Sequence, residues 1–254
     1  MLSDNRGEIL PGKNPFWGEW LDDSTFQTYP NVHVDHEVRF SEAMDTFTLK
    51  ISKNAHLTLS NYTNEINCHL EEGSILKHRG LPQQGRFYLA RNARLEHHFI
   101  NANNSLTAHI EVFLNQPKAC VDWQDGIALE HDQNVDLNIK IDHAAPETQS
   151  NCVLKSIIKD NSRLKFFCDI FVQKEAKNCI AHQRNLNHIL SPLGQITALP
   201  RLHIFNRNVE ASHGTATQPI PKDVLFYLQS RGLSAQEAEQ TYLESFFGEI
   251  YHHE

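Results

Sequence analysis

The chain has 254 residues, with 23 Lys and Arg against 31 Asp and Glu, a formal net charge of −8. That acidic balance argues against a nucleic-acid or anionic-membrane surface as the main partner, because both need clustered Lys and Arg. Apolar residues make up 40% of the chain, enough for a real core and too many for a disordered one.

Residues 1–36 read as an irregular segment punctuated by Pro11, Pro15 and Pro30, with Trp17 and Trp20 available to fold back as an aromatic cap. The opening residues lack the basic and apolar stretches of a secretory signal, so the expected location is the cytoplasm. Nowhere does an apolar run approach the roughly 18 residues of a membrane span; even Leu164 to Val172 is broken by Lys165 and Asp169.

From residue 37 to 218 the texture is short and alternating, as in Ala108-His-Ile-Glu-Val-Phe and Val135-Asp-Leu-Asn-Ile-Lys-Ile. A period of two marks half-buried strands. An apolar residue, two polar residues or one small and one polar, then Asn with Ala or Ser, one further residue and Leu recurs around Asn54-Ala55, Asn92-Ala93 and Asn161-Ser162, with a looser copy from Leu129 to Leu137. Asn tolerates a left-handed backbone, so these are read as corners between strands. Strand, corner, strand without helices suits the stacked coils of a solenoid, with a β-sandwich as the competing architecture. The one hairpin-type dipeptide in this region is Asp125-Gly126.

Residues 219–254 change character. Pro221 in a first turn and Gly232 as a stop bracket one helix, and Ser234-Ala-Gln-Glu237 forms a capping box for a second that runs to about Ile250. This hairpin is rich in aromatics: Phe226, Tyr227, Tyr242, Phe246, Phe247 and Tyr251. They either cap the end of the solenoid or receive another protein.

Sixteen histidines raise the question of metal. His33 and His36, the pair His97-His98 and the pair His252-His253 do not chelate if they alternate along strands, and they are read as surface or internally satisfied groups. The five cysteines (Cys68, Cys120, Cys152, Cys168 and Cys179) show no C-x-x-C and are read as small buried hydrophobes. Phosphate-loop, dinucleotide, hydrolase-elbow and zincin motifs are missing. Asp122, Asp125, Glu130, Asp132 and Asp136 keep open a β-helix lyase or glycosidase, although the same residues suit a solvated strand face.

Five motifs follow one another in the second half: Asp142-His-Ala-Ala-Pro146, Gln183-Arg-Asn-Leu-Asn-His-Ile-Leu-Ser191, Pro200-Arg-Leu-His-Ile204, Ala211-Ser-His-Gly-Thr215 and Leu225-Phe-Tyr-Leu-Gln-Ser-Arg-Gly232. Together they resemble the SufB/SufD family of the SUF iron–sulfur cluster assembly complex, closer to its SufD branch. The resemblance implies a mainly β chain, a right-handed parallel β-helix with a C-terminal α-helical hairpin, that acts as a scaffold and not as an enzyme. It implies pairing with a SufB-type subunit, or with itself, and docking of the SufC-type ABC ATPase through Leu225, Phe226, Tyr227, Leu228, Ser230, Arg231, Gly232 and Phe246. It further implies a cluster site at His213, with Ser212, Gly214 and Asn185 around it. His213 is the expected iron ligand; no cofactor is permanently bound, and iron or an iron–sulfur cluster passes through. A solenoid interaction protein without a cluster role is the third reading.

The sequence departs from that family in several places. Ala211 stands where Cys is common, Thr217-Gln218 where Val-Gly is common, and Ala198-Leu199 where an acid-Lys pair is common. The helical domain that usually precedes the β-helix is not expected here, since strand texture begins near Val38.

Overall fold

A computed structural model describes residues 8–9, 15, 17–40, 46–60, 64–102 and 104–251. The strands are β1 (Glu8–Ile9), β2 (Gly18–Asp22), β3 (Thr25–Thr28), β4 (His33–Phe40), β5 (Thr46–Ile51), β6 (His56–Ser60), β7 (Glu65–Leu70), β8 (Ile75–Arg79) and β9 (Gln84–Leu89). They continue as β10 (Arg94–Ala102), β11 (Leu106–Leu114), β12 (Cys120–Leu129), β13 (Asn134–His143), β14 (Gln149–Ile158), β15 (Arg163–Val172), β16 (Cys179–Ile189), β17 (Gln195–Ile204) and β18 (Val209–Gln218). Two helices close the chain, α1 (Lys222–Ser230) and α2 (Ala235–Tyr251).

From β4 onward, successive strands alternate between two sheets. One runs β1-β4-β6-β8-β10-β12-β14-β16-β18 and the other β17-β15-β13-β11-β9-β7-β5-β3-β2. Neighbours are parallel except for the β2–β3 hairpin, so the fold is a parallel β-solenoid. The step from coil to coil grows along the chain. Thr46 aligns with Glu65, 19 positions on, whereas Val135 aligns with Leu164 and Arg163 with Gln195, 29 and 32 positions on.

The corners obey backbone sterics. Asn54 and Asn92 take φ near +55°, as the Asn-Ala pattern predicts. At the third copy the left-handed residue is Asp160, one position before Asn161. Asn161 instead donates from Nδ2 to Asp132 Oδ1 at 2.9 Å, while Asp160 Oδ2 accepts the His131 backbone N–H at 2.8 Å. His131 also has a positive φ, so the looser copy is a corner as well. Side chains thus tie this corner to the one before it.

Aligned coils put equivalent side chains on top of one another. Inside, Phe47, Leu49, Ile66, Phe87, Leu137, Phe166 and Ile170 are fully buried. Outside, His69 stacks on Tyr88 and Tyr88 on Phe113 at centroid distances of 4.7 and 5.0 Å, and Lys140 lies over both Phe113 and Phe171. Each such ring pair contributes about 0.5–1.5 kcal/mol beyond its burial.

Where it is described, the first segment is not irregular as expected. It contributes β1, the β2–β3 hairpin and the start of β4, because Asp22 Oδ1 accepts the Ser24 N–H at 2.9 Å and fixes a tight turn between β2 and β3. The aromatic cap is present: Trp17 and Trp20 meet Phe26 edge-on at 5.2 and 5.5 Å, and Trp20 reaches Phe47 at 6.0 Å.

Asp125-Gly126 is no turn; both residues lie within β12. Asp125 points into the solenoid, where its Oδ2 accepts the Trp123 indole N–H at 2.7 Å. Gly126 faces outward beneath α2: a Cβ there would stand 3.0 Å from both Phe247 Cδ1 and Ile100 Cγ1. That contact shows where the helices sit. Leu243, Phe247 and Ile250 of α2 pack on Ile157, Ile100 and Ala128, across the outer face of β10, β12 and β14 and not over the end of the solenoid. Covered on both faces, β12 and β14 lose the alternating burial that their neighbours keep.

Candidate functional site at the last coil and the helical hairpin

Among the described residues, no coil lies above the last one. Inward-facing positions of β17 (Ile196, Ala198, Pro200, Leu202) are only partly covered, and Leu193, Leu199, Ile204 and Phe205 are exposed beside them. On the opposite wall β18 pairs with β16, which aligns Gln183 with His213 and Asn185 with Thr215. His213 therefore continues the inward row of Gln183 and Asn185, but at the open mouth, where it is exposed.

Ser212 lies on the other face of β18. Its Oγ is 2.7 Å from His182 Nδ1, whose Nε2 stands 3.7 Å from Glu210. Strand alternation separates it from His213, so the two are neighbours in sequence and not in a shared pocket. Gly214 meets nothing that a Cβ would touch. No neighbour within the chain requires glycine there. Asn185 is fully buried and donates weakly to Thr215 Oγ1 at 3.4 Å, while its Oδ1 has no partner.

Gln183, one coil below His213, is 2% exposed with neither amide atom paired. An unsatisfied buried amide group costs about 1–3 kcal/mol, so this position is held at a loss of stability. Gln183 opens one of the five motifs, yet sequence reasoning did not single it out. Strand alternation from Asn185 would have put it on the same inward face.

Several other polar groups enter the interior. His97, expected at the surface or internally satisfied, is fully buried: its ring stacks on Trp123 at 3.6 Å, Nε2 is 3.1 Å from Asp125 Oδ1, and Nδ1 is 2.9 Å from His78 Nδ1. Burial, with His97 beside it, holds His78 well below the ordinary imidazole range. Asp125 thus belongs to an internal network and not to a solvated face, whereas Asp132 sits exposed at a corner. Of the five acids considered for hydrolysis, Asp125 and Asp132 therefore do not converge. His33 stacks on His56 at 3.9 Å; the His36 side chain and the His252-His253 pair lie outside the described residues. Among the described residues, no three His, Cys, Asp or Glu side chains are gathered to hold a metal ion. Four of the five cysteines are buried, Cys120 is half-buried, and all are free. The Cys152 thiol is pushed up by its contact with Cys168 and by burial.

On the hairpin, Pro221 is the N-cap of α1, Arg231 its C-cap, and Gly232 takes φ +101° as the stop. The capping box forms: Ser234 N–H donates to Glu237 Oε2 at 2.8 Å and Glu237 N–H to Ser234 Oγ at 3.3 Å. Phe226 and Tyr227 are 73% and 55% exposed. Arg231 covers the Tyr227 ring at 5.2 Å, and Ser230 bonds back to the Tyr227 carbonyl. Leu225 and Leu228 are partly buried, Leu225 against the contact beneath α2. Phe246, expected in the dock, is turned toward the solenoid, where His188 meets it at 4.5 Å and the Lys155 ammonium at 5.4 Å. The side chain of Tyr251 lies outside the described residues.

His188 joins hairpin and last strand. Its Nδ1 is 2.9 Å from the Gln218 carbonyl, which can only accept, so Nδ1 carries the proton; Nε2 then accepts from the Tyr242 hydroxyl at 3.0 Å.

Among the described residues, no helix is long and apolar enough to cross a membrane. The family model for the SufBD core domain of SUF system FeS cluster assembly matches residues 25–246. The iron–sulfur cluster assembly protein SufD of Escherichia coli is 23% identical over 224 residues, which cover 85% of this chain and 50% of that protein. A SufBD family protein of Synechocystis is 33% identical over 41% of this chain and 23% of its own length. The chloroplastic protein ABCI7 of Arabidopsis thaliana is 30% identical over 47% of this chain and 26% of its own. The chain thus spans half or less of each of these relatives. With a family model covering most of the solenoid and the hairpin, the chain belongs to the SufBD core family of the SUF iron–sulfur cluster assembly system.

Proposed function

We propose that this chain is a non-catalytic, SufD-like scaffold: it pairs through its last coil with a SufB-type subunit, or with a second copy of itself, and docks a SufC-type ABC ATPase through α1. The observation that carries the reading is the joint occurrence of an unsealed solenoid end and an exposed aromatic face on the adjacent helix. The open end offers unpaired strand edges of β17 and β18, flanked by Leu199, Ile204 and Phe205. Edges of this kind pair with another chain when nothing covers them. His213 at the mouth supplies an imidazole to iron passing between the two subunits, and Gly214 leaves room for the partner's backbone. No cofactor stays bound, and neither nucleic acid nor membrane is a partner.

Phe226 and Tyr227 are the anchors for the ATPase, since large aromatic side chains concentrate binding energy at interfaces. Removing the whole hairpin would uncover Ile157 and Lys155, so the clean test is a double substitution. Phe226→Ala with Tyr227→Ala should weaken capture of the cognate SufC by at least about tenfold, an anchor loss of roughly 1.4 kcal/mol or more, with the circular dichroism spectrum unchanged. Undiminished capture by the double variant removes α1 as the dock.

A further inference from the structure

Strand pairing in register stacks inward-facing side chains into columns along one wall of the solenoid. The register makes one of them His78, His97, Trp123, Cys152, Gln183 and finally His213 at the mouth. Its neighbours inside the solenoid are mainly apolar, as solenoid cores usually are. Within this column, the coil below Gln183 brings Cys152 of β14 against Cys168 of β15, Sγ to Sγ at 3.6 Å across the interior, both fully buried.

That separation has a coordination meaning. Two thiolates bound at about 2.3 Å to one tetrahedral ion stand about 3.8 Å apart, so the pair already spans one edge of such a site. A second, independent observation points the same way. Gln183 is on the strand next to Cys152, about 4.8 Å away by sheet spacing, with both amide atoms buried and unpaired. An amide oxygen placed there is a third donor. We propose that Cys152, Cys168 and Gln183 form a site for one thiophilic divalent cation inside the last enclosed coil, reached from the open end past His213. Two sulfurs select against Mg²⁺ and Ca²⁺ and for ions such as Zn²⁺ and Fe²⁺. Binding displaces both thiol protons, and the fourth position stays open to a ligand from the mouth. The site differs from the one expected at His213, and it does not depend on the SufC or SufB reading.

Co²⁺ is the probe, because thiolate bound to it gives a charge-transfer absorption that oxygen and nitrogen ligands do not. The full chain, reduced and free of oxygen, should bind one equivalent with that absorption. Cys152→Ala and Cys168→Ala should each abolish it, while Cys68→Ala, which alters an equally buried thiol elsewhere, should leave it unchanged. Circular dichroism of each variant separates a lost ligand from a lost fold. Gln183→Leu provides a second reading that survives any folding failure of the cysteine variants: it should weaken Co²⁺ by about 10–100-fold while raising the melting temperature of the metal-free chain. Absence of sulfur-to-cobalt absorption in the wild-type chain overturns the site, as does an absorption that persists in both cysteine variants. Unchanged affinity in Gln183→Leu overturns its place in it.

Discussion

The two ends of the solenoid are made from similar strands and finished in opposite ways. At the first, Trp17, Trp20 and Phe26 close over Phe47, and Phe26 is fully buried. At the last, Phe205 and Leu199 stay 58% and 47% exposed, and the inward row ends in His213, Thr215 and Thr217. A coil gains stability only from its neighbours, so each terminal coil needs a cover. The chain carries its own cover at one end, and at the other it presents polar inward residues with an apolar rim.

The comparison breaks most visibly by truncating one aromatic at each end. Phe26→Ala should lower stability by about 3–5 kcal/mol, the usual cost of emptying a buried phenyl site. Phe205→Ala should stay within about 0.5 kcal/mol of wild type, as exposed substitutions do. Denaturant titration of the two variants reads this directly. Equal losses would mean that the last coil is as well covered as the first.

A sharper contrast comes from pH, because His78 and His143 inside the solenoid resist protonation. Burial pushes His143 down from 6.5 to about 4, and its two ring nitrogens meet Thr148 Oγ1 and Ser150 Oγ at 2.8 and 2.9 Å. The folded state favours neutral His143, so its contribution is complete above pH 6.5 and is lost as pH falls toward 4. A shift of this size corresponds to about 3 kcal/mol, and His78 acts in the same direction. Stability measured between pH 7 and pH 4 should fall accordingly, and His143→Gln should flatten that slope. An unaltered slope in the variant would assign the loss to other groups.

The smallest effect tests the hairpin beside the open end. Ser234→Ala removes one half of the capping box and should cost about 1 kcal/mol, read as a modest drop in helical signal on heating. No change would mean that packing of α2 on β12 and β14, and not its cap, sets the hairpin.

Much of the solenoid was legible because its signals are local. Alternation places residues such as Leu137 and Ile139 inside, and Asn54 and Asn92 mark corners through a backbone preference that needs no tertiary context. What stayed hidden depends on distant chain. Asp125-Gly126 carries a turn preference that the Trp123 indole and the Phe247 ring override from either side of β12. The seat of α2 was concealed because Ile100, Ala128 and Ile157 interrupt the alternation of their own strands and make sense only once a helix covers them. The motif Asp142-His-Ala-Ala-Pro146 serves a corner, since His143 ties to Thr148 and Ser150. At the candidate site, His213 was singled out from its motif, but Gln183 joins Cys152 and His213 in one column only through the register of β14, β16 and β18, and Cys168 meets Cys152 from the opposite sheet.

The short coil step has a consequence for how the chain comes to be folded. Partners in neighbouring coils are 19 residues apart near β5 and no more than 32 apart near β17, so each coil can be laid down on the one before it without waiting for distant sequence. The aromatic end leaves the ribosome first and offers a finished template. The mouth is the last coil to be built, so its strand edges form only on molecules whose earlier coils are already in register.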